Sequence, residues 1–200
     1  MDVLKSLPDK SFDLAIVDPP YGIGVCKNKQ GMGRRRGDLK ANYEMGDWDN
    51  EPPTLEYFIE LQRVSKNQII FGANHFISQI AIDSSCWIVW DKKFSNEVSF
   101  AAVELAWTSF NSTAKKFTHL PTNQDSRIHP TQKPVALYRW MLERYAKPGQ
   151  TILDTHLGSA SSAIACHQFG CEILGMEMSE HYFNLAVDRI KRDTQQQHLL

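Results

Sequence analysis

The sequence predicts an α/β protein built on a mostly parallel, doubly wound sheet. Two observations carry this prediction. Residues 12–17 form a short apolar run that ends at a carboxylate and two prolines, as expected of a buried strand that delivers Asp18 to one edge of a sheet. Residues 151–192 then alternate strand, helix, strand and helix, and this order implies a right-handed parallel unit.

Length and composition fit a single domain over residues 1–200, large enough to bury a core. The chain is 42% hydrophobic and 22% charged, and it contains no apolar run of about 18 residues, so no membrane span is predicted. The four cysteines are scattered without a CxxC pair, which argues against a structural metal site and favours a cytoplasmic setting. The net charge of −1 does not decide whether nucleic acid is bound, because the distribution of charge matters more than its sum.

The remaining elements follow in order along the chain. Helices are predicted at about 54–66, near 74–82, and at 134–145, about 160–169 and 180–192; strands are predicted at 68–71, 86–90, 103–107, 151–154 and 171–176. Gly170 fits the end of the helix at 160–169 as a C-cap. Residues 22–53 are rich in glycine and basic residues without apolar periodicity, which predicts a long, exposed and flexible loop.

The segment after the strand at 151–154 has the features of a nucleotide-binding turn. Asp154 ends the strand, small residues at Gly158 and Ser159 allow a ligand to approach the backbone, and Glu177 ends the next strand 23 residues later. That spacing suits an acidic side chain that binds ribose hydroxyls. A tight turn in an α/β protein that binds no nucleotide remains the alternative. A G-x-G-x-x-G motif is absent, so a simple NAD site is disfavoured.

A second motif, Asp18-Pro19-Pro20-Tyr21, indicates chemistry on an amine. The two prolines fix the loop, while the Asp18 carboxylate and the Pro19 carbonyl can each accept one N–H of an exocyclic amine. This arrangement pulls the nitrogen toward a tetrahedral geometry and frees its lone pair for an electrophilic methyl group. Tyr21 can stack on the base that carries the amine, which must be flipped out of a duplex to reach the loop. The alternative is an ordinary strand-terminating turn.

Three segments together resemble the N6-adenine/N4-cytosine DNA methyltransferase family. They are Asp18-Pro19-Pro20-Tyr21, the run from His129 to Pro134 (HPTQKP), and the run from Asp154 to Ser159 (DTHLGS). Their order, with the catalytic motif first and the cofactor motif last, resembles the β class of that family. The resemblance implies a Rossmann-like fold with circularly permuted motif order, helices on both faces, a reversed strand at one edge of the sheet, and S-adenosylmethionine as the methyl donor.

The same resemblance assigns the cofactor pocket. It implies that Asp154, Gly158 and Ser159 surround the methionine part of the cofactor and that Glu177 binds its ribose. His156 stands where the family has an aromatic residue near the cofactor, and Ala160 stands where the family has a glycine, so its methyl group is expected to narrow the pocket. Thr131, Gln132 and Lys133, just before the helix predicted at 134–145, are expected to line the same pocket.

The loop after Tyr21 is predicted to contact the DNA backbone. Its six basic residues stand against a single acidic neighbour, Asp38, and they are Lys27, Lys29, Arg34, Arg35, Arg36 and Lys40. A solvated loop without a nucleic-acid role is the alternative. The recognition segment at about 108–128 is very short, so target choice is expected to depend on the basic loop, on a homodimer partner, or on a short recognition sequence.

The sequence therefore predicts an adenine-N6 DNA methyltransferase. An N4-cytosine methyltransferase uses the same amine chemistry and stays open. A methylase fold that binds DNA or a partner without transferring methyl groups is a further alternative, since a fold does not guarantee an activity. A protein-glutamine methyltransferase is disfavoured, because such enzymes typically carry Asn in place of Asp18.

Overall fold

The computed structural model of the chain describes residues 1–24, 49–93, 101–120 and 127–195. The helices are α1 Asp2–Ser6, α2 Leu55–Val64, α3 Ile77–Ile80, α4 Val135–Tyr145, α5 Ser161–Phe169 and α6 Glu180–Gln195, with a 3₁₀ turn at Ala73–His75. The strands are β1 Phe12–Val17, β2 Ser65–Phe71, β3 Trp87–Asp91, β4 Val103–Thr108, β5 Lys115–Thr118, β6 Thr151–Asp154 and β7 Glu172–Gly175. None of the helices in these described ranges is long and apolar enough to cross a membrane.

The seven strands form one sheet in the order β5-β3-β4-β2-β1-β6-β7. Neighbouring strands pair in parallel except where β4 meets β2 and β3, so β4 alone runs against the others. This confirms the mostly parallel sheet. The expectation of a reversed strand at the edge is wrong: β4 lies inside the sheet, because β3 and β5 are added beyond it.

Helices cover both faces of the sheet, and the alternation of side chains along β1 shows why its residues 14–17 are all apolar. Ala15 and Val17 pack into a cluster with α1, α2 and α3, while Leu14 and Ile16 pack on the opposite face with α4 and α5. A central parallel strand that is buried on both faces has no position for a solvated side chain. Because its side chains are buried on both faces, β1 is held in place in the sheet. Asp18, which directly follows it, therefore lies at the edge of the sheet.

Several predicted boundaries shift in the structure. The helix at 54–66 ends at Val64, and the polar residues Ser65 and Lys66 begin β2 instead. The helix near 74–82 is a 3₁₀ turn followed by the single turn of α3. Strand β5 was not predicted; its sequence Lys-Lys-Phe-Thr is short and mostly exposed, and it lies within the segment expected to recognise DNA.

Candidate active site

The candidate site lies where three parallel strands end side by side. Strands β1, β6 and β7 are neighbours in the sheet, and the parallel pairing brings their carboxyl ends to the same edge. The acidic residues Asp18, Asp154 and Glu177 follow or end these strands. The sheet therefore brings together the motifs that contain Asp18 and Asp154, which lie more than a hundred residues apart in the sequence. In open α/β sheets, ligands bind in the crevice at the carboxyl ends of the strands.

The loop after β1 is fixed by a buried carboxylate that the sequence did not single out. Asp49 is 4% exposed, and its Oδ1 accepts the backbone N–H groups of Tyr21 at 2.9 Å and Gly22 at 3.2 Å. The Gly24 N–H in turn donates to the Asp49 carbonyl at 3.0 Å. Asp49 therefore holds the backbone that follows Pro19 and Pro20 in one conformation.

Tyr21 binds the predicted catalytic carboxylate directly. Its hydroxyl donates to Asp18 Oδ1 at 2.7 Å, and burial followed by the charge of Asp18 raises the pKa of this phenol well above its usual value, so it remains a donor. Its ring lies against Gly72 and stacks on the imidazole of His75, with centroids 5.2 Å apart and planes 15° apart. His75 is exposed and covers this face of the Tyr21 ring, so a ligand reaches that face only after His75 moves.

Lys133 occupies the other oxygen of Asp18. Its ammonium group donates to Asp18 Oδ2, lies 3.2 Å from Glu104 Oε2, and is buried against the face of Phe71. Burial works against the charge of Lys133, but the two carboxylates outweigh it and raise the pKa of the lysine. Burial raises the pKa of the Asp18 carboxyl, and the charge of Lys133 opposes that rise. The structure thus places Lys133, which was predicted to line the cofactor pocket, beside Asp18 and Tyr21.

Asp154, at the end of β6, is a fully enclosed carboxyl. It is 1% exposed, its Oδ2 accepts the Ser162 hydroxyl at 2.5 Å, and its Oδ1 accepts the His156 N–H at 3.0 Å. Burial raises the pKa of Asp154 to about 7, because the two donors only partly offset the loss of solvent. The Asp154 carboxyl therefore loses its proton near neutral pH.

Glu177 closes the glycine turn from the end of the neighbouring strand. Its Oε2 accepts the Gly158 N–H and its Oε1 accepts the Ser179 N–H, both at 2.9 Å. Gly158 has φ +52°, a conformation that favours glycine. Glu177 as a whole is only partly buried.

Thr131 and Gln132 reach the glycine turn through His129. The Thr131 hydroxyl lies 3.1 Å from His129 Nδ1, and Gln132 donates its N–H to the His129 carbonyl at 3.2 Å. The His129 ring faces Gly158, where an added Cβ would lie 3.6 Å from it. Burial lowers the pKa of His129 to about 4, so the imidazole is neutral at physiological pH.

Known proteins resemble this chain over most of its length. A model of the DNA methylase family, which comprises N6 and N4 methyltransferases, matches residues 84–188. The chain belongs to this family. Two relatives extend the likeness over 94% of the chain: the type II methyltransferase M.HpaI of Haemophilus parainfluenzae, 25% identical over 70% of its own length, and the putative methylase YubD of Escherichia coli K12, 23% identical over 86% of its length.

Solved structures confirm the Rossmann-like methyltransferase fold of this DNA methylase. The complex of M1.HpyAVI with S-adenosylmethionine superposes with a TM-score of 0.63, at 21% identity over 94% of both chains. The Thermus thermophilus protein TTHA0409, also bound to S-adenosylmethionine, gives 0.60 at 18% identity over 96% of this chain and 92% of its own. The cytosine-N4-specific PvuII methyltransferase gives 0.60 at 12% identity, over 96% and 86%.

The turn predicted to bind the cofactor is held in this DNA methylase by Arg189, which the sequence analysis missed. Arg189 lies on α6, is 1% exposed, and donates to the Ser159 carbonyl at 2.8 Å and the Ser161 hydroxyl at 2.9 Å. The signal was available, because Arg189 shares the apolar face of α6 with Tyr182 and Ala186 at helical spacing. An arginine on a buried helix face requires specific acceptors.

Three further residues of the turn pack against other parts of the protein. The side chain of Ser159 is buried and its hydroxyl lies 3.1 Å from that of Ser161, so it faces α5. Ala160 does not narrow the pocket as expected, since it is fully buried in a cluster with Ala163 and Ala186. His156 packs edge-on against Tyr57 at 5.6 Å, and burial lowers its pKa to about 4.

The predicted DNA-contacting residues Lys27, Lys29, Arg34, Arg35, Arg36 and Lys40 lie outside the described residues, as does most of the 22–53 loop. Within the described ranges, no group of His, Cys, Asp and Glu side chains is arranged to hold a metal ion.

Proposed function

We propose that this DNA methylase transfers a methyl group from S-adenosylmethionine to the exocyclic N6 amine of a flipped-out adenine in DNA. The observation that carries the proposal is the placement of the Asp18 carboxylate at the same sheet edge as Asp154 and Glu177. An acceptor for an amine and two acidic groups suited to a cationic nucleoside cofactor thus share one crevice.

The residues of the turn fit S-adenosylmethionine, which is the methyl donor of the family. The Glu177 carboxylate, which accepts backbone N–H groups in this structure, suits the hydroxyl donors of a ribose. The Asp154 carboxyl is enclosed in this structure, so a cationic ammonium group binds it only by displacing the Ser162 or His156 donor. Met178, next to Glu177, is fully exposed and offers apolar surface to an adenine ring. When bound, the cofactor supplies a methyl group on a positively charged sulfur, which becomes a neutral thioether as the amine nitrogen takes the methyl and gives up one proton.

The catalytic loop prepares the amine. Asp18 accepts one N–H of the target amine and the carbonyl of Pro19 accepts the other, so the nitrogen lone pair turns out of conjugation with the ring. Pro19 and Pro20 restrict the loop, and Asp49 fixes the backbone at Tyr21. Tyr21 holds the Asp18 carboxylate in position through its hydroxyl and offers its ring as a surface for the base. The loop therefore orients the target base. The hydrogen bonds from the amine to Asp18 and Pro19 form only when the base is in place.

The assignment of adenine over cytosine rests on the motif Asp18-Pro19-Pro20-Tyr21. In this family, a tyrosine at its last position favours adenine as the target. Contact with DNA is assigned to the basic residues from Lys27 to Lys40, whose charges suit phosphate neutralisation. The assignment of adenine is tested directly, because digestion of the methylated DNA to nucleosides identifies the modified base.

The experiment measures transfer of tritiated methyl from the cofactor to unmethylated genomic DNA, followed by digestion to nucleosides. Label in N6-methyladenosine is expected. Label in N4-methylcytosine would replace the adenine assignment, and absence of transfer by a folded, cofactor-binding protein would identify a binding module.

The variant Asp18→Ala tests the mechanism. It should lower turnover about 100- to 1000-fold, the usual effect of removing one hydrogen-bonding group that acts on the reacting atoms. Its cofactor dissociation constant, measured by calorimetry, should stay close to that of the unsubstituted protein. Asp188→Ala removes an exposed carboxylate of α6 and is the matched control. Unchanged turnover in Asp18→Ala would refute the role of this residue.

A further inference from the structure

A buried ammonium group lies between two carboxylates beside the predicted catalytic loop. Lys133 precedes α4, and its side chain is 4% exposed. Its Nζ donates to Asp18 Oδ2 and lies 3.2 Å from Oε2 of Glu104, on β4. The other oxygen of Glu104, Oε1, pairs with Lys92, which comes directly after β3. The four charges form a chain from the catalytic loop to the far side of β4.

The ammonium group occupies the place that the proposed reaction requires for the target amine. Asp18 uses Oδ1 for the Tyr21 hydroxyl and Oδ2 for Lys133. Each oxygen can accept a second hydrogen bond, so a target amine binds Asp18 beside one of these two donors and competes with it for the carboxylate. The Lys133 Nζ presents N–H donors to Asp18 in the same way that an exocyclic amine would, so the two compete for one acceptor.

Lys133 cannot leave this position for solvent without a large cost, because it is buried beneath the ring of Phe71, 4.7 Å from its Nζ. Glu104 gives it an alternative within a short movement. At 3.2 Å from Oε2, the ammonium needs a shift of only a few tenths of an ångström to reach an optimal ion-pair distance, about 2.7–2.9 Å.

We propose that Glu104 is a positioning residue that draws the Lys133 ammonium away from Asp18 when the target amine enters the site. The proposal rests on the proposed function, because it assumes that Asp18 accepts the amine. Lys133 keeps its proton throughout and changes only its main partner. Its positive charge stays near Asp18 and favours the ionised carboxylate that the amine needs.

The charges around Asp18 predict opposite pH effects for the two partners. The groups that face Asp18 are the Tyr21 hydroxyl from its own loop, Lys133 from before α4, Glu104 from β4 and, farther away, Asp154 from β6. Lys133 lowers the pKa of Asp18 and Glu104 raises it. Removing the lysine charge should move the acid limb of the pH–rate profile to higher pH. Removing the glutamate charge should move it to lower pH.

The test compares Glu104→Gln, Glu104→Asp and Lys133→Met with the control Glu143→Gln, which removes an exposed glutamate of α4 that pairs with Arg139. Methylation of unmethylated DNA is followed with tritiated cofactor from pH 5.5 to pH 9.5. Glu104→Gln should lower kcat/KM for DNA by about 10- to 100-fold, the range expected from losing an interaction between charged groups. The cofactor dissociation constant should not change, and Glu104→Asp should recover part of the loss.

Each outcome decides the proposal. An acid limb that moves up in Lys133→Met and down in Glu104→Gln supports it, together with the recovery in Glu104→Asp. Equal kcat/KM in Glu104→Gln and Glu143→Gln overturns it while the proposed function stands. Equal losses in Glu104→Gln and Glu104→Asp, with the acid limb unmoved, also overturn it and assign Glu104 to folding alone. An unsubstituted protein that binds cofactor but methylates no DNA overturns the proposed function, and this inference with it.

Discussion

Replacing Asp154 by asparagine tests the charge of the carboxyl that ends β6. Burial raises the pKa of this group from its ordinary value of 3.8 to about 7. Between these two values the unfolded chain has released the proton and the folded chain has kept it, so the folded state loses stability as the pH rises through this window. A pKa difference of this size corresponds to roughly 4 kcal/mol, all of it present below pH 4 and lost above pH 7.

Asparagine has nearly the same shape, and its carbonyl can still accept the His156 N–H, but it carries no charge at any pH. The free energy of unfolding of Asp154→Asn relative to the unsubstituted protein should therefore rise between pH 4 and pH 8, by up to roughly 4 kcal/mol. Urea unfolding at several pH values measures this difference. Asp188→Asn, on the exposed face of α6, is the control that removes a carboxylate without burial. Parallel curves for Asp154→Asn and the unsubstituted protein would show that Asp154 is ionised throughout, and would refute the reasoning.

Two further substitutions test the supports of the site. Gly72→Ala should destabilise the protein by about 1–2 kcal/mol through its left-handed backbone and should also lower kcat/KM for DNA, because its Cβ would lie 2.1 Å from the Tyr21 ring and push the hydroxyl off Asp18. Gly149→Ala is the matched control, since φ there is +83° with nothing within 4 Å; equal activity in the two variants would contradict the Tyr21 contact. Arg189→Met should weaken cofactor binding about 10-fold or more by freeing the turn at Ser159, as expected from losing hydrogen bonds of a charged group. Arg189→Lys should restore part of that affinity in calorimetry; an unchanged dissociation constant in Arg189→Met would show that this contact is not needed.

The local parts of the fold could be predicted from the sequence because their signals are local. Strand β1 ends at Val17, where Asp18 and two prolines follow it, and the unit from β6 to α6 is marked by Asp154, Gly158 and Gly170 in a short stretch. Strand order is different in kind. Whether β4 lies at the edge or inside the sheet depends on where β3 and β5 pair, and no residue near Glu104 encodes that position.

The same distinction explains which site residues were missed. The Lys133–Glu104 pair joins residues 29 positions apart on separate elements, so neither local pattern indicates the other. Lys133 was expected to line the cofactor pocket because its neighbours Thr131 and Gln132 in the same motif were. Arg189 was within reach of the sequence, since a cation at an apolar helical position predicts a buried partner.

The acidic side chains at the sheet edge all have hydrogen-bond donors from the chain itself. Asp18 accepts from Tyr21 and Lys133, Asp154 from Ser162 and His156, and Glu177 from Gly158 and Ser179. A ligand that binds these carboxylates exchanges existing hydrogen bonds for new ones. The net gain is then the difference between two similar energies, and it is smaller than the contribution of a single hydrogen bond, about 1 kcal/mol.

Binding energy in this site must consequently come mainly from apolar burial and ring contact, while the carboxylates supply orientation. The exposed side chain of Met178 and the exposed imidazole of His75 are placed to provide such contacts, one beside Glu177 and one on the ring of Tyr21. The exchange at Asp18 differs from the others, because the donor that leaves is a buried cation that needs an anion to receive it. Glu104 is the anion in reach, so the capacity of the site to accept an amine depends on a residue that contacts neither the amine nor the methyl donor.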